Sequence, residues 1–468
     1  MKTHELRSLG IPKGEILELV RTAVHQWVKT SDSRVDKSLI LKRVADLAKN
    51  PQDYLQDTHF APAANKLQEI KQAQSRFCSR EEPAPYQQWG TDLEAEAIRQ
   101  MENACQLPIS LCGALMPDAH TGYGLPIGGV LATENAVIPY AIGLDIACRM
   151  KMTVLDLPTQ ALTGQTDRLK NAIEQETRFG VGAAFQKRRQ HPVMDEDWSF
   201  TPIVSRRKDK AWNQLGTSGS GNHFVEFGTL TLDRDDLGLA AGTYLALLSH
   251  SGSRGIGSEI ATHYSKLAAQ QHPELPKDLA QLAWLDMDSE PGQQYWQAMQ
   301  LMGRYAEANH ELIHRAIAHH LKADVLLDIE NHHNFAWKET HQGKEVIVHR
   351  KGATPAPEGM LGIIPGSMGT SGYVVRGKGS PESLNSASHG AGRRMSRRQA
   401  KESFRWSHVN QFLKDKGVLL LSAGLDEVPM AYKDIDQVMA AQHDLVQPVA
   451  RFDPRIVKMA PPGERPED

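Results

Sequence analysis

At 468 residues the chain is long enough for two or three domains and a large core. Its net charge of −3 excludes a uniformly basic nucleic-acid coat, so any such surface must be a local patch. Four cysteines, Cys78, Cys105, Cys112 and Cys148, follow no spacing of a disulfide framework or zinc knuckle, which fits a reducing cytoplasm. The start carries no charged-then-apolar leader and no apolar run approaches ~18 residues, so neither secretion nor a membrane partner is expected.

Residues 1 to about 80 read as helices. Ile16, Val20, Val24 and Trp27 recur at helical spacing, as do Ile40, Val44 and Leu47 before the Asn50-Pro51 stop. No chemical motif stands out there. Pro83 and Pro85, in Glu81-Glu-Pro-Ala-Pro85, break both helix and central strand and mark a boundary. The expected organisation is a helical extension over 1–85, a catalytic domain over 86–458 and a tail over 459–468.

From Trp89 the texture changes to short apolar runs ending in polar, glycine-rich turns. Met116-Pro-Asp-Ala-His leads through such a turn to a strand at Val130 to Thr133, and Ile142 to Cys148 is followed by a strand from Met150 to Leu155. Thr243 to Leu248 runs into Ser249-His-Ser-Gly-Ser-Arg-Gly, and Val325 to Ile329 runs into Glu330-Asn-His-His-Asn334. Polar residues that repeatedly follow strands predict a sheet presenting its strand ends to one pocket. The class is therefore α/β, of the α+β type. Beyond Trp89 helical texture is concentrated at Glu259–Gln271 and in a long stretch from about Gln293 to Leu321, and no fixed-period repeat appears.

That long helix contains His310-Glu-Leu-Ile-His314, the H-E-x-x-H pattern of zinc proteases. Its apolar stripe runs through Tyr295, Met299, Met302, Ala306, Ile313 and Ile317, which puts His310 at the stripe's edge and His314 further round towards solvent. The expectation is a coincidence on a helix surface. A zinc metalloprotease using His310, Glu311 and His314 remains an alternative.

A dispersed set is the stronger metal candidate. Asp145, Cys148, His223, His250 and His333 each sit in a Gly-, Ser- or Asn-rich turn after an apolar run, and together they suit a first-row transition metal. Five ligands exceed one structural zinc, and two ions with a bridging thiolate would use them economically. A second cluster, Ser386 to Arg397, sets His389 among small residues and follows it with Gly390, Gly392, Arg393, Arg394 and Arg397. A neutral imidazole is a nucleophile and arginines grip phosphate oxygens, although a capping histidine with a solvated basic face has the same composition.

The motifs Met116-Pro-Asp-Ala-His, Gly143-Leu-Asp-Ile-Ala-Cys148, Leu215-Gly-Thr-Ser-Gly-Ser-Gly-Asn-His-Phe224, His250-Ser-Gly-Ser-Arg-Gly, His332-His-Asn, Arg350-Lys-Gly-Ala-Thr, Ile364-Pro-Gly-Ser-Met-Gly-Thr370, Ser388-His-Gly-Ala-Gly-Arg and Ala431-Tyr-Lys-Asp-Ile-Asp stand in this order. The sequence resembles the RtcB family of RNA-splicing ligases from about Trp89 to Lys458. The resemblance implies one catalytic domain with a metal pocket at a sheet end. It also implies a GTP- and Mn²⁺-dependent ligase joining an RNA 2′,3′-cyclic phosphate or 3′-phosphate to a 5′-hydroxyl, in RNA repair or tRNA splicing, through a histidine–GMP intermediate on His389. By the same resemblance Asp145, Cys148, His223, His250 and His333 hold two Mn²⁺, and Asn222, Glu226, Ser367, Lys458 and the Gly390-Ala391-Gly392 backbone hold GMP. Asn334, Arg393 and Arg397 fall near phosphates. Asp118 and His120 lie in a family motif without an assigned role.

RNA contact is expected at basic clusters such as Lys187-Arg-Arg189, Arg206-Arg-Lys208 and the Arg393–Lys401 segment. An archease-like activator is a further partner the family suggests. Arg149 stands where a glycine is common, so the metal turn is expected to be reshaped or to gain a phosphate contact. A catalytically degenerate RNA-end-binding scaffold is the other alternative, disfavoured because nucleophile and ligands are all present.

Overall fold

In the computed structural model, residues 1–12, 14–31, 35–75 and 79–464 are described. Contacts divide the chain into two units, Met1–Cys78 with His272–Lys277, and Ser79–Gln271 with Asp278–Asp468. In the first, helices Ile16–Thr30 and Lys37–Lys49 follow the spacing read from the sequence, and Ala61–Ser75 forms a further helix. Asp36 caps the second by accepting from Leu39 N at 2.8 Å. Ile16, Val20, Val44, Leu47 and Phe60 are buried together, and the Arg43 guanidinium lies 4.6 Å from the Trp27 ring while pairing with Asp57.

The larger unit is built on two sheets. Residues 79–85 already belong to it, since Arg80 N and Ala84 N donate to the carbonyls of Gln106 and Cys105. One sheet has five strands, including the pair Ser110–Tyr123 and Leu125–Thr133 and the pair Asn334–His341 and Lys344–Lys351. The other has eight. Along it run Leu361–Ile364, Gly372–Gly377, Val446–Met459, Phe224–Leu232, Gly242–Ser251, Arg149–Leu155 and Val325–His332, with Leu419–Ser422 pairing off this path.

The two ends of that path meet. Asn331 on the last strand accepts from Ile363 N at 2.9 Å and donates to Ile363 O at 3.2 Å, so one side-chain amide does what a neighbouring peptide would do and the sheet curls almost into a barrel. Outside it packs the helix Glu290–Leu321, whose Ile313, Ile317 and Leu321 bury against Leu155, Phe227, Leu245 and Leu247. Each such side chain contributes about 1.5–3 kcal/mol when taken fully from water. Ser289 caps the helix by accepting from Gly292 N, and Lys322 ends it in the left-handed region at φ 49°. Among the described residues no helix is long and apolar enough to cross a membrane.

Candidate active site

Register sets the metal cluster. Arg149–Leu155 pairs with Gly242–Ser251 on one side and Val325–His332 on the other, so Cys148, His250 and His333 arrive together at adjoining strand ends. Phe224 lies opposite His250, which brings His223 to the same place. The turn before Cys148 is tied down because Ala147 N donates to Asn334 O at 2.7 Å and His333 N to Cys148 O at 3.0 Å. Gly252 must be glycine, since a Cβ there would overlap both Asp145 carboxylate oxygens.

The donor atoms converge. Cys148 Sγ is 3.0 Å from His250 Nε2 and 3.5 Å from His223 Nε2; His250 Nε2 is 3.2 Å from His333 Nε2, and His223 Nε2 is 3.0 Å from Asp145 Oδ2. They form two buried triads, Cys148–His250–His333 and Asp145–Cys148–His223, sharing the thiol. Carbonyls only accept, so His250 Nδ1–H donates to Asn222 O at 3.1 Å, leaving its Nε2 lone pair facing the cluster, while His223 has Nδ1 3.0 Å from Ser218 O and turns Nε2 to the Asp145 carboxylate. Burial, then the neighbouring His223, lowers His250 to about 3, so its ring is neutral. Burial would raise Asp145, but the His223 hydrogen bond and charge outweigh it and hold the carboxyl below its ordinary value. The ligand atoms of each triad all lie within 4.8 Å of one another, close enough to share a cation. Each triad could hold a metal ion, and Cys148 belongs to both.

His389 stands beside this cluster, its ring 4.9 Å from that of His333. It follows the strand Ser386–Ser388, and the helix after it begins only at Arg397 with Ser396 as cap, so it is not a helix-capping histidine. Asp118, buried and 271 residues away in sequence, accepts from His389 Nδ1 at 2.7 Å and from the backbone N of His389 at 3.1 Å. Its carboxyl is held below the ordinary range: burial pushes upward, and His389, His120 and Lys433 together outweigh it. The Nε2 lone pair of His389 is thereby left free. Gly392, at φ 73°, also requires glycine, since a Cβ would overlap Asp118 O.

A cavity of about 700 Å³ joins these parts. Asn222, Glu226, Asn334, Ser367, Gly390, Ala391, Gly392, Arg393 and Arg397 all line it, and Phe224, Phe452, Val457 and Met459 give it an apolar wall. Burial pushes the Glu226 carboxyl well above its ordinary value. Asn334 donates to Asp145 O at 3.2 Å and accepts from Gly352 N at 2.8 Å, so it also braces the metal turn. Ser367 Oγ is 2.8 Å from Thr370 Oγ1. Arg393 donates to Asp426 O at 2.7 Å, and Arg397 pairs with both Asp426 and Glu427. Lys458 is absent from the lining. It shares a sheet face with Ile456, half-buried near Glu174, Arg178 and Lys170, while Val457 and Met459 on either side of it reach the cavity.

Three residues of the site have no role that the sequence reveals. Asp118 and Lys351 lie inside motifs whose spacing names no partner for them. Lys351, driven down to about 7 by burial, lines the cavity and donates to the carbonyls of Tyr123 and Tyr140. Glu427 has no sequence signal at all.

Other expectations need correction. His310 and His314 are not on the helix surface; both are buried and bonded to Ser249 Oγ at 2.8 and 2.7 Å, while Glu311 faces outward and pairs with His191 and Arg315. The two histidines spend nitrogens on one hydroxyl and no glutamate reaches between them, so no protease centre exists there. Arg149 does not line the cavity; it is buried and donates to Glu330 at 3.2 Å. In Lys187–Arg189, Arg189 is an interior strut donating to Leu312 O and Glu176, and Arg188 reaches Asp209 and Asn213. Arg207 and Lys210 share Glu259. In the two basic runs Arg188, Arg189 and Arg207 are each paired with an acid. The tail leaves the cavity at Met459, runs exposed over Pro461–Gly463 and brings Glu464 to accept from Val181 N at 3.2 Å.

Fold and site together define a mixed α/β protein in which a buried Asp/Cys/His donor set, a carboxylate-backed histidine and two arginines share one cavity, the equipment of an enzyme that handles phosphate groups. A family model described as tRNA-splicing ligase RtcB matches residues 100–202 and 195–459. The RNA-splicing ligase RtcB of Escherichia coli (strain K12) is 35% identical over 404 residues, 78% of this chain and 95% of that protein. The tRNA-splicing ligase RtcB of Nanoarchaeum equitans is 32% identical over 437 residues, 78% of this chain and 91% of that one, and the RNA-splicing ligase RtcB of Mycobacterium tuberculosis is 33% identical over 429 residues, 76% and 98%. The chain belongs to the RtcB family of RNA-splicing ligases.

Proposed function

We propose that the protein joins RNA 2′,3′-cyclic phosphate or 3′-phosphate ends to 5′-hydroxyl ends, using GTP and Mn²⁺, in RNA repair or tRNA splicing. The observation that carries this reading is the 2.7 Å contact from Asp118 to His389 Nδ1, which frees Nε2 towards a cavity lined by Arg393, Arg397 and the backbone of Gly390–Gly392. His389 Nε2 attacks the α-phosphorus of GTP; the N–P bond forms as the bond to pyrophosphate breaks. Positive charge developing on the imidazole is balanced by the buried Asp118 carboxylate. GMP then passes to the RNA 3′-phosphate, and attack by the 5′-hydroxyl expels it.

Two divalent ions held by Asp145, Cys148, His223, His250 and His333 would supply charge neutralisation at the phosphates and, for a cyclic end, its prior opening. Arg393 and Arg397 hold phosphate oxygens. Asn222 and Ser367 lie where the nucleotide's sugar and phosphate groups can be hydrogen-bonded, and Glu226, with the apolar wall of Phe224 and Phe452, suits the donor edge of guanine. Lys458, at the strand end between two lining residues but on the opposite sheet face, is assigned no contact in this set. An archease-like activator fits a cycle in which the enzyme must be recharged with GMP.

The test is to incubate the protein with α-³²P-GTP and Mn²⁺, denature it and measure retained label on wild type and on His389→Ala. Label on wild type alone is expected. Equal label on both would remove His389 from the reaction.

A further inference from the structure

The long helix carries two buried histidines that the proposed reaction leaves unused. Along Gly242–Ser251 side chains alternate, so His250 faces the cavity while Ser249 faces the helix. His310 and His314, one helical turn apart, both present a nitrogen to Ser249 Oγ. The chain continues, for His314 Nδ1 lies 2.7 Å from Thr153 Oγ1, and Thr153 donates to the Asp328 carboxylate.

A carboxylate only accepts, and this gives the whole chain one polarity. Thr153 spends its proton on Asp328, so it accepts from His314 Nδ1–H; His314 Nε2 then accepts from Ser249 Oγ–H, and Ser249 accepts from His310 Nδ1–H. Burial holds both histidines well below their ordinary values, so each neutral ring has one donor and one acceptor to give. On the same helix Asn309 donates to Thr217 O at 2.8 Å and accepts from Gly216 N, fixing the loop that leads to His223.

We infer that Ser249, His310 and His314 are positioning residues for the metal ligand His250, clamping its strand from the side opposite the cavity. The inference rests on reading Asp145, Cys148, His223, His250 and His333 as the metal ligands. Apolar packing between helix and sheet resists separation but slides easily along the strand. A hydrogen-bonded chain of fixed polarity fixes the rotation of Ser249 and with it the backbone that carries His250, within the ~0.5 Å that a ligand set tolerates. This helix thus uses its HExxH pattern as a brace behind a metal site.

Cobalt(II) titration followed by absorption and calorimetry tests it. Wild type is expected to bind Co²⁺ with a thiolate charge-transfer band. Ser249→Ala and His314→Leu are expected to bind roughly 10-fold or more weakly, with altered ligand-field bands. His314→Gln, whose amide can still accept from Ser249 and donate to Thr153, is expected to recover most of the affinity. Ile317→Ala, which removes packing from the same helix, is expected to lower the melting temperature and leave Co²⁺ affinity unchanged. Wild-type affinity and spectrum in Ser249→Ala and His314→Leu, with lowered melting temperatures like that of Ile317→Ala, would overturn the inference while leaving the metal centre intact. No charge-transfer band in wild type would overturn the ligand assignment itself. Should His314→Leu fail to fold, Ser249→Ala decides alone.

Discussion

Replacing Asp118 by Asn separates charge from shape at the nucleophile. Oδ2 of Asp118 accepts from His389 Nδ1 and from two backbone N–H groups, at 3.1 Å from His389 and 3.3 Å from Gly390. An Asn with its oxygen in that place keeps all three bonds and loses only the charge. A hydrogen bond to a charged group contributes about 1.5–3 kcal/mol, against about 1 for a neutral one. In the proposed reaction the ring becomes cationic when Nε2 bonds to phosphorus, so the difference of about 0.5–2 kcal/mol falls on that step, and guanylylation is expected to slow roughly 2- to 30-fold. The other oxygen, Oδ1, is buried without a partner, and the Asn NH₂ placed there would leave buried donors unsatisfied at about 1–3 kcal/mol of stability. Single-turnover labelling with α-³²P-GTP reads the first effect and thermal melting the second. An Asp118→Asn variant that melts lower but labels at the wild-type rate would show that Asp118 serves only to hold the loop.

Three further outcomes follow from the same geometry. Glu226 has a folded pKa above its ordinary 4.5, so the native state holds its proton longer than the unfolded state and stability falls as pH rises from 4.5 towards the folded value. Glu226→Gln is expected to raise the melting temperature of the nucleotide-free protein at pH 8, with the gain vanishing as pH falls towards 4.5; a gain independent of pH would refute this, and nucleotide affinity should drop in the same variant. Gly252→Ala drives a Cβ into the Asp145 carboxylate and is expected to reduce bound metal from two ions per chain to one by elemental analysis, the Cys148–His250–His333 triad being spared. Thiolate and imidazole donors favour later metals, so Zn²⁺ is expected to displace Mn²⁺ and inhibit ligation; ligation equally fast with Zn²⁺ as sole metal would count against it.

Much of this site is legible in the sequence because its parts are local. Cys148 and His223 stand one residue before a strand, His250 lies near the end of one, and His333 and His389 stand one residue after one, and a curled sheet gathers strand ends without further instruction. What is not legible depends on distant partners. Asp118 meets His389 across 271 residues, and nothing in its own turn reveals that pairing. The basic runs at Arg188–Arg189 and Arg207 look like free cations until Glu176, Asp209 and Glu259 fold against them. The HExxH helix misleads for a different reason. A helical wheel counts histidine as solvent-facing, whereas the sheet beneath offers the hydroxyls of Ser249 and Thr153, so the polar side of the wheel is also buried.

The seam of the curled sheet has a mechanical consequence. Elsewhere around it, adjacent strands share ladders of several backbone bonds; between Val325–His332 and Leu361–Ile364 one amide, Asn331, makes the two bonds to Ile363. A tube slit along its length and held by one button opens there first. Asn331 lies two residues before His333, so the opening that exposes the Ile363 amide to exchange also loosens one wall of the metal triad. Hydrogen exchange at Ile363 is therefore a gauge of how readily that triad comes apart, and bound metal should slow it.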